Sequence, residues 1–239
     1  MKPTGTPLLE LEAVNSYYGR AHVLFDVSLR VYPREVVVLL GRNGAGKTTT
    51  FKSIVGLVNV RGTVRFRDRN ITGLAPYQIA RLGVGYVPED RQIFPHLTVA
   101  ENLEIGMKPG ADGSVRWTID RLETVFPMLS PLLGRLGGNL SGGEQQLVTI
   151  ARTLMGNPDV VLLDEPTEGI APVIVKTLAT VVRRLGEEGE SVLLSEQHVR
   201  FALGVSDRAY VIDSGHIRYE GTVEAVRAEP EVMKRYLAV

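Results

Sequence analysis

The 239-residue chain contains no cysteine, so neither a disulfide framework nor a thiolate metal site holds it together. It carries no net charge, since 27 Lys and Arg offset 27 Asp and Glu. A global basic field is therefore missing, and nucleic acid is not expected as a partner, although a local patch remains open. No apolar run approaches the ~20 residues that cross a bilayer. The opening Met1-Lys2-Pro3-Thr4-Gly5-Thr6-Pro7 has none of the apolar stretch of a secretory leader. Internal repeats, coiled-coil heptads and low-complexity tracts are missing too. Together these absences give the expectation of a soluble, cytoplasmic protein that sits on a membrane only through a partner. Little chain follows the last expected strand, which leaves little room for an added regulatory domain. What is present is a 44% hydrophobic content, enough for one large core or for a core domain with an inserted subdomain.

The most specific feature is Gly41-Arg42-Asn43-Gly44-Ala45-Gly46-Lys47-Thr48, which fits the phosphate-binding pattern GxxxxGK[ST]. It follows the β-branched run Glu35-Val36-Val37-Val38-Leu39-Leu40 and precedes Thr49–Val55, which can continue as a helix. Glycines let the backbone curl so that successive N–H groups face phosphate oxygens, and a helix N-terminus adds partial positive charge. In this pattern Lys47 reaches the β/γ-phosphates and the Thr48 hydroxyl binds Mg²⁺.

Around this loop the sequence reads as alternating strands and helices, which implies a mainly parallel sheet. Leu8–Val14 and Val23–Val31 form an N-terminal antiparallel β part, turning near Tyr18-Gly19. Gly62–Phe66 and Gly83–Pro88 read as strands, with a helix at Pro76–Leu82 between them, Pro76 in its first turn. From about 91 to 155 the character changes to helices and loops: Val99–Ile105, Thr118–Phe126 and Gly143–Gly156. This stretch is expected to be a helical subdomain inserted in the α/β core. The core resumes with the strand Val160–Leu163, the helix Val173–Leu185, the strand Ser191–Leu194, and further elements through Asp207–Asp213 and His216–Glu220.

Val160-Val161-Leu162-Leu163-Asp164-Glu165 is an apolar strand ending in two acids. Beside a phosphate loop, Asp164 suits Mg²⁺ binding and Glu165 suits polarisation of a water attacking the γ-phosphate. In Leu140-Ser141-Gly142-Gly143-Glu144-Gln145-Gln146, Ser141 can cap the next helix with Glu144 completing a capping box. The two glycines also expose N–H groups at a helix start, a second phosphate-binding surface. One nucleotide loop with two such helix starts suggests a head-to-tail dimer, each chain closing over its partner's ATP.

With these motifs in this order, the chain resembles the ATP-binding subunits of ABC transporters over nearly its whole length. Walker A is Gly41–Thr48, the signature Leu140–Gln146, and Walker B Val160–Asp164 followed by Glu165. The resemblance implies a P-loop NTPase, RecA-like core in a single ATPase domain spanning 1–239, with the signature in the helical subdomain. ATP would be held by Gly41, Arg42, Asn43, Gly44, Ala45, Gly46, Lys47, Thr48 and Thr49, with Tyr18 stacked on adenine. Lys47, Glu165 and Gln197 would be catalytic. Thr48, Asp164 and Glu89 would hold Mg²⁺. Ser141, Gly142 and Gly143 would contact ATP bound to the partner.

Three positions depart from the usual pattern. Glu89 stands where glutamine is common, which brings another negative charge near the γ-phosphate. Ala171 stands where many members carry an aspartate that links the two sites. In Ser195-Glu196-Gln197-His198, the switch loop after the last core strand, Gln197 rather than His198 falls at the usual histidine position, and a surface role for His198 stays open. Glu89, Glu168-Gly169-Ile170-Ala171-Pro172 and Glu196-Gln197-His198 resemble the branched-chain amino acid importers, and within them the LivF-type ATPase. Urea and short-chain amide importers share most of this pattern. A lipopolysaccharide-type exporter ATPase or a soluble non-transport ABC protein are the more distant alternatives. The resemblance implies a second ATPase subunit (identical or different), two membrane permeases on whose cytoplasmic side the pair docks, and a solute-binding protein acting indirectly. Arg91-Gln92-Ile93-Phe94-Pro95-His96-Leu97 is apolar for a loop and reads equally as a docking groove for the permease or as a local packing cluster.

Overall fold

The computed structural model describes residues 5–237. Strands β1 (Leu9–Tyr18) and β2 (Ala21–Val31) form a hairpin. Strand β3 (Val36–Leu40) leads into α1 (Lys47–Ile54), then β4 (Asn59–Phe66), β5 (Arg69–Asn70), α2 (Pro76–Arg81) and β6 (Val84–Val87). Next come α3 (Val99–Gly106), α4 (Ile119–Val125) and α5 (Gly142–Leu154), with 3-10 turns at Pro127–Leu132 and Gly137–Asn139. The chain continues through β7 (Val160–Asp164), α6 (Pro172–Glu187), β8 (Ser191–Glu196), α7 (Val199–Val205), β9 (Arg208–Asp213), β10 (His216–Thr222) and α8 (Val223–Arg227).

The expected α/β organisation holds, with a mainly parallel sheet and an antiparallel N-terminal part. One sheet has the order β2-β1-β4-β5 and the other β10-β9-β3-β8-β7-β6. In the second, β6, β7, β8, β3 and β9 run parallel and β10 joins antiparallel at the edge. Its central strands are buried on both faces, which is why β3 and β7 read as unbroken apolar runs. Alternation still operates inside those runs. Val36, Val38 and Leu40 face one core, shared with Val161, Leu163, Val192 and Leu194. Val37 and Leu39 face a second core, shared with Val160, Leu162 and Leu193. The first core packs against α5, α6 and α7. The second is closed by the antiparallel sheet and α1.

Several element ends differ from the sequence reading. β1 and β2 run further toward their turn because irregularities near Ala13 and Ser16 re-aim the ladder. Ala13 has φ 47°, and the facing Gly62 has φ 100°; a Cβ on Gly62 would sit 2.3 Å from the Ala13 carbonyl oxygen. β8 extends to Glu196, so Ser195 and Glu196 are buried strand residues and not part of an open switch loop.

Between β6 and β7, the helices and turns share the first core with the sheet. Trp117 is fully buried there, its ring 6.0 Å from that of Phe126. Its indole N–H donates to Glu190 Oε1 at 2.9 Å, and Arg116 Nη1 lies 3.2 Å from the same oxygen. Burial pushes the Glu190 carboxyl up from its ordinary value, with Arg116 opposing. Trp117→Phe keeps an aromatic ring and deletes the donor. It should cost about 1–3 kcal/mol, because a buried carboxylate loses one of its partners; urea unfolding followed by circular dichroism measures this, and an unchanged midpoint would refute it.

Candidate nucleotide site

Sheet order brings the site together. β3, β8 and β7 are neighbours, and their parallel registers align Leu40 with Glu196 and Asp164 with Ser195. The glycine loop, the segment after Glu196 and the Asp164–Glu165 pair therefore leave the sheet at one carboxyl edge, the place where open α/β sheets bind ligands.

The loop from Gly41 to Gly46 has the backbone the pattern requires. Gly44 and Gly46 have φ of 78° and 112°. A Cβ on Gly41 would lie 2.5 Å from the Ile212 carbonyl oxygen, so that position is closed to any side chain. Helix α1 starts at Lys47 with Gly46 as its N-cap and no side-chain cap, which leaves its first N–H groups available to an anion. Arg42, Asn43 and Gly44 are exposed, whereas Ala45, Lys47 and Thr49 are buried and Thr48 is half-buried.

Lys47 is only 2% exposed. Its Nζ donates to the carbonyls of Gly41 at 2.8 Å and Arg42 at 2.9 Å, and lies 3.2 Å from Glu165 Oε1. Glu165 has φ 43°, a strained conformation for a non-glycine residue just past β7. Burial raises its pKa above the ordinary carboxylate value. Lys47 opposes that rise, and Asp164 and Glu89 add to it. Asp164 is fully buried and also raised by burial, against the bonds it accepts. Its Oδ1 accepts from Ser195 Oγ at 2.6 Å and Thr48 Oγ1 at 3.2 Å, and its Oδ2 from the Tyr86 hydroxyl at 3.1 Å. Burial and the nearby Asp164 together hold that phenol well above its ordinary pKa.

Thr48, Lys52, Tyr86, Glu89 and Asp164 line a cavity of about 370 Å³. Among the described residues no three His, Cys, Asp or Glu side chains group as a metal centre. Thr48 and Asp164 are adjacent hard oxygen donors, the set that suits a small divalent ion completed by phosphate oxygens and water. Glu89 shares their cavity but is exposed and makes no hydrogen bond among the described residues. Tyr18 ends β1 and is 45% exposed, whereas its neighbour Tyr17 is already stacked on His22 at 4.4 Å. Tyr18 lines a second cavity of about 280 Å³, and Leu57 lies on the walls of both.

Other expected residues stand elsewhere. Gln197 is not on the phosphate loop; its Nε2 donates to Glu168 Oε2 at 2.5 Å. The exposed His198 has its Nδ1 2.9 Å from Thr167 Oγ1. Ser141 caps α5, and Glu144 Oε2 accepts from the Ser141 N–H at 2.7 Å, completing the capping box. No hydrogen bond among the described residues joins Ser141–Gly143 to the phosphate loop of the same chain. The 91–97 stretch is divided: Ile93 packs on the core and Phe94 is 44% exposed.

Sequence reasoning passed over Ser195, Tyr86 and Glu196. Ser195 donates to Asp164 and accepts from the Glu165 N–H at 3.0 Å. Buried Glu196 accepts from the Thr167 hydroxyl at 2.6 Å and from the N–H groups of Gln197 and His198 at 3.1 Å. The polar ending of Ser191-Val192-Leu193-Leu194-Ser195-Glu196 was the available signal, since such residues at the end of a buried strand need partners.

The family model for the ABC transporter matches residues 24–168, more than half of the chain. The chain belongs to the ABC transporter family. It is 37% identical over 231 residues to the high-affinity branched-chain amino acid transport ATP-binding protein BraG of Pseudomonas aeruginosa, covering 96% of this chain and 99% of that one. It is 38% identical over 225 residues to the lipopolysaccharide export system ATP-binding protein LptB of Escherichia coli, covering 93% of each. Among solved structures, a nucleotide-free ATP-binding cassette from an ABC transporter superposes with a TM-score of 0.79 at 30% identity, covering 98% of this chain and 99% of that one. This ABC protein is an ATP-binding, ATP-hydrolysing subunit of a transporter. Among the described residues no helix is long and apolar enough to cross a membrane.

The raised Glu165 pKa sets a pH expectation. On the proposal that Glu165 is the base, its ionised form is lost as pH falls through that pKa, so kcat/KM for ATP should drop on the acid side above the ordinary glutamate value of about 4.3. A pH profile of kcat/KM checks this, and an acid limb at or below that value would contradict it.

Proposed function

We propose that the chain is the motor subunit of an importer for branched-chain, hydrophobic amino acids. Glu89, the 168–172 run and Glu196-Gln197-His198 support this subfamily, as does the likeness to BraG over almost the full length of both chains. Urea or a short-chain amide is the nearest alternative solute. An exporter role is favoured by one observation, the comparable identity to LptB.

The observation that carries the catalytic reading is the Lys47–Glu165 pair beside Asp164. In this reading the γ-phosphate takes the Lys47 ammonium from the loop carbonyls and Glu165, and Gly44–Thr49 supply backbone N–H groups. Tyr18 stacks on adenine. Thr48 and Asp164, with Glu89 on the same wall, would hold Mg²⁺, which neutralises charge on the β- and γ-phosphates. Released from Lys47, Glu165 orients the water and accepts its proton. Ser141–Gly143 of one ATPase cover the ATP of the second, identical or different, so the closed pair is stable only with triphosphate. A ligand that favours one state over another is what drives the cycle.

The pair would dock peripherally, on the cytoplasmic face, beneath two permeases fed by a solute-binding protein. The 91–155 region is the proposed helical subdomain that receives them. Phe94, Ile105, Lys108 and Arg152 line a cavity of about 390 Å³, with the Arg152 guanidinium 4.9 Å from the Phe94 ring centroid. An exposed aromatic on such a rim suits a partner segment.

Lys47→Ala should abolish turnover, and Glu165→Gln should hold a closed, ATP-bound dimer visible by size-exclusion chromatography; wild-type hydrolysis by Glu165→Gln would remove its assigned role. Phe94→Asp should weaken co-purification with the permeases while leaving the fold intact by circular dichroism, and undiminished co-purification would place docking elsewhere. Stimulation of the assembled transporter's ATPase by leucine, and not by urea, would support the solute; the reverse would overturn it.

A further inference from the structure

The segment after Glu165 is gripped from both sides. β7 lies between β8 and β6 in the sheet, and Glu168, just past β7, is bonded to the segment after each neighbour. Its carboxylate accepts from Gln197 Nε2 at 2.5 Å, on the β8 side. Its carbonyl accepts from Arg91 Nη2 at 2.8 Å, on the β6 side.

Arg91 extends the connection. It has φ 62°, and its own carbonyl accepts from Thr149 Oγ1 on α5. Its guanidinium lies against two glycines, closely at Gly142 and at ordinary contact distance from Gly169. A Cβ on Gly142 would sit 2.7 Å from Nη1, and one on Gly169 would sit 3.4 Å from Nη2. Gln197, Glu168, Arg91 and Gly142 thus form one unbroken chain of contacts, from the segment after β8 to the helix start at Ser141–Gly143. Ala171 supplies no side-chain cap to α6 and no acceptor. Glu168 is the carboxylate of the 166–171 loop.

We propose that Glu168 is a positioning residue for ATP turnover. Held by Gln197 and Arg91, it fixes the loop beyond Glu165 against the serine–glycine surface. This rests on the reading that Ser141–Gly143 cover a partner's triphosphate. Gln197 acts through Glu168 here and not through the γ-phosphate.

Steady-state ATPase of the full chain tests the assignment. Glu168→Ala should lower kcat about 10-fold, the effect of losing one hydrogen bond to a charged group, with KM for ATP within about 2-fold. Glu168→Gln keeps an acceptor for Gln197 and should recover kcat to within about 3-fold of wild type. Glu168→Ala combined with Gln197→Ala should be no slower than the slower single variant, because both delete one contact. Wild-type kcat in Glu168→Ala, equal losses with Ala and Gln, or losses that multiply would each overturn the proposal. Mixing Lys47→Ala chains with Ser141→Arg chains tests the underlying reading separately, since a mixed dimer rebuilds one intact site. If mixing restores activity and Glu168→Ala is unimpaired, only the Glu168 assignment falls; if the mixed chains form dimers by size-exclusion chromatography and mixing restores nothing, both fall.

Discussion

Leu40 pairs with Glu196 and Asp164 with Ser195 in adjacent parallel ladders of one buried sheet. Everything chemical in this protein depends on that register. A slip by one residue would turn the alternating side chains of β3, β7 and β8 to the wrong cores and carry Asp164 away from Thr48. Two buried apolar cores, one on each face, penalise such a slip heavily. The apolar sheet therefore acts as the ruler that sets distances among polar groups at its edge.

Those polar groups are strained in charge. Asp164, Glu165 and Glu89 crowd a region where Lys47 is a close counter-ion, and burial raises the first two above their ordinary pKa. The protein tolerates this through three hydrogen bonds to Asp164 and the Lys47 contact to Glu165. In the proposed function, a magnesium-bound triphosphate would rearrange the balance: the cation would be held by Asp164, and the phosphates would compete for Lys47. In the proposed cycle a nucleotide exchanges these contacts rather than adding to them.

Local features of this site were legible in the sequence. The glycine loop, the Ser141–Glu144 capping box and the acids ending β7 each depend on residues a few positions apart, and each lies where expected. So did the parallel strands, because burial on both faces writes an unbroken apolar run. Contacts between distant segments were not legible. Ser195 meets Asp164 only because β8 lies beside β7, and nothing near Arg91 indicates that it reaches Glu168. Gln197 falls at the usual histidine position along the chain, but position does not fix the direction of its side chain, which meets Glu168. Strand ends also moved, since Ser195 and Glu196 have partners that make a polar strand terminus stable.

In the proposed closed pair Gly142 and Gly143 would face an anion on one side, and they are crowded on the other. A Cβ at 142 meets Arg91, and one at 143 would lie 2.3 Å from Ile174. The bareness of this surface is thus enforced from behind by residues far away in the chain. Over evolutionary time, position 143 is free to gain a methyl group only in a lineage that has first shortened residue 174, whose own Cβ would lie 3.0 Å away. Positions 143 and 174 should therefore drift together, although neither is near the other in sequence.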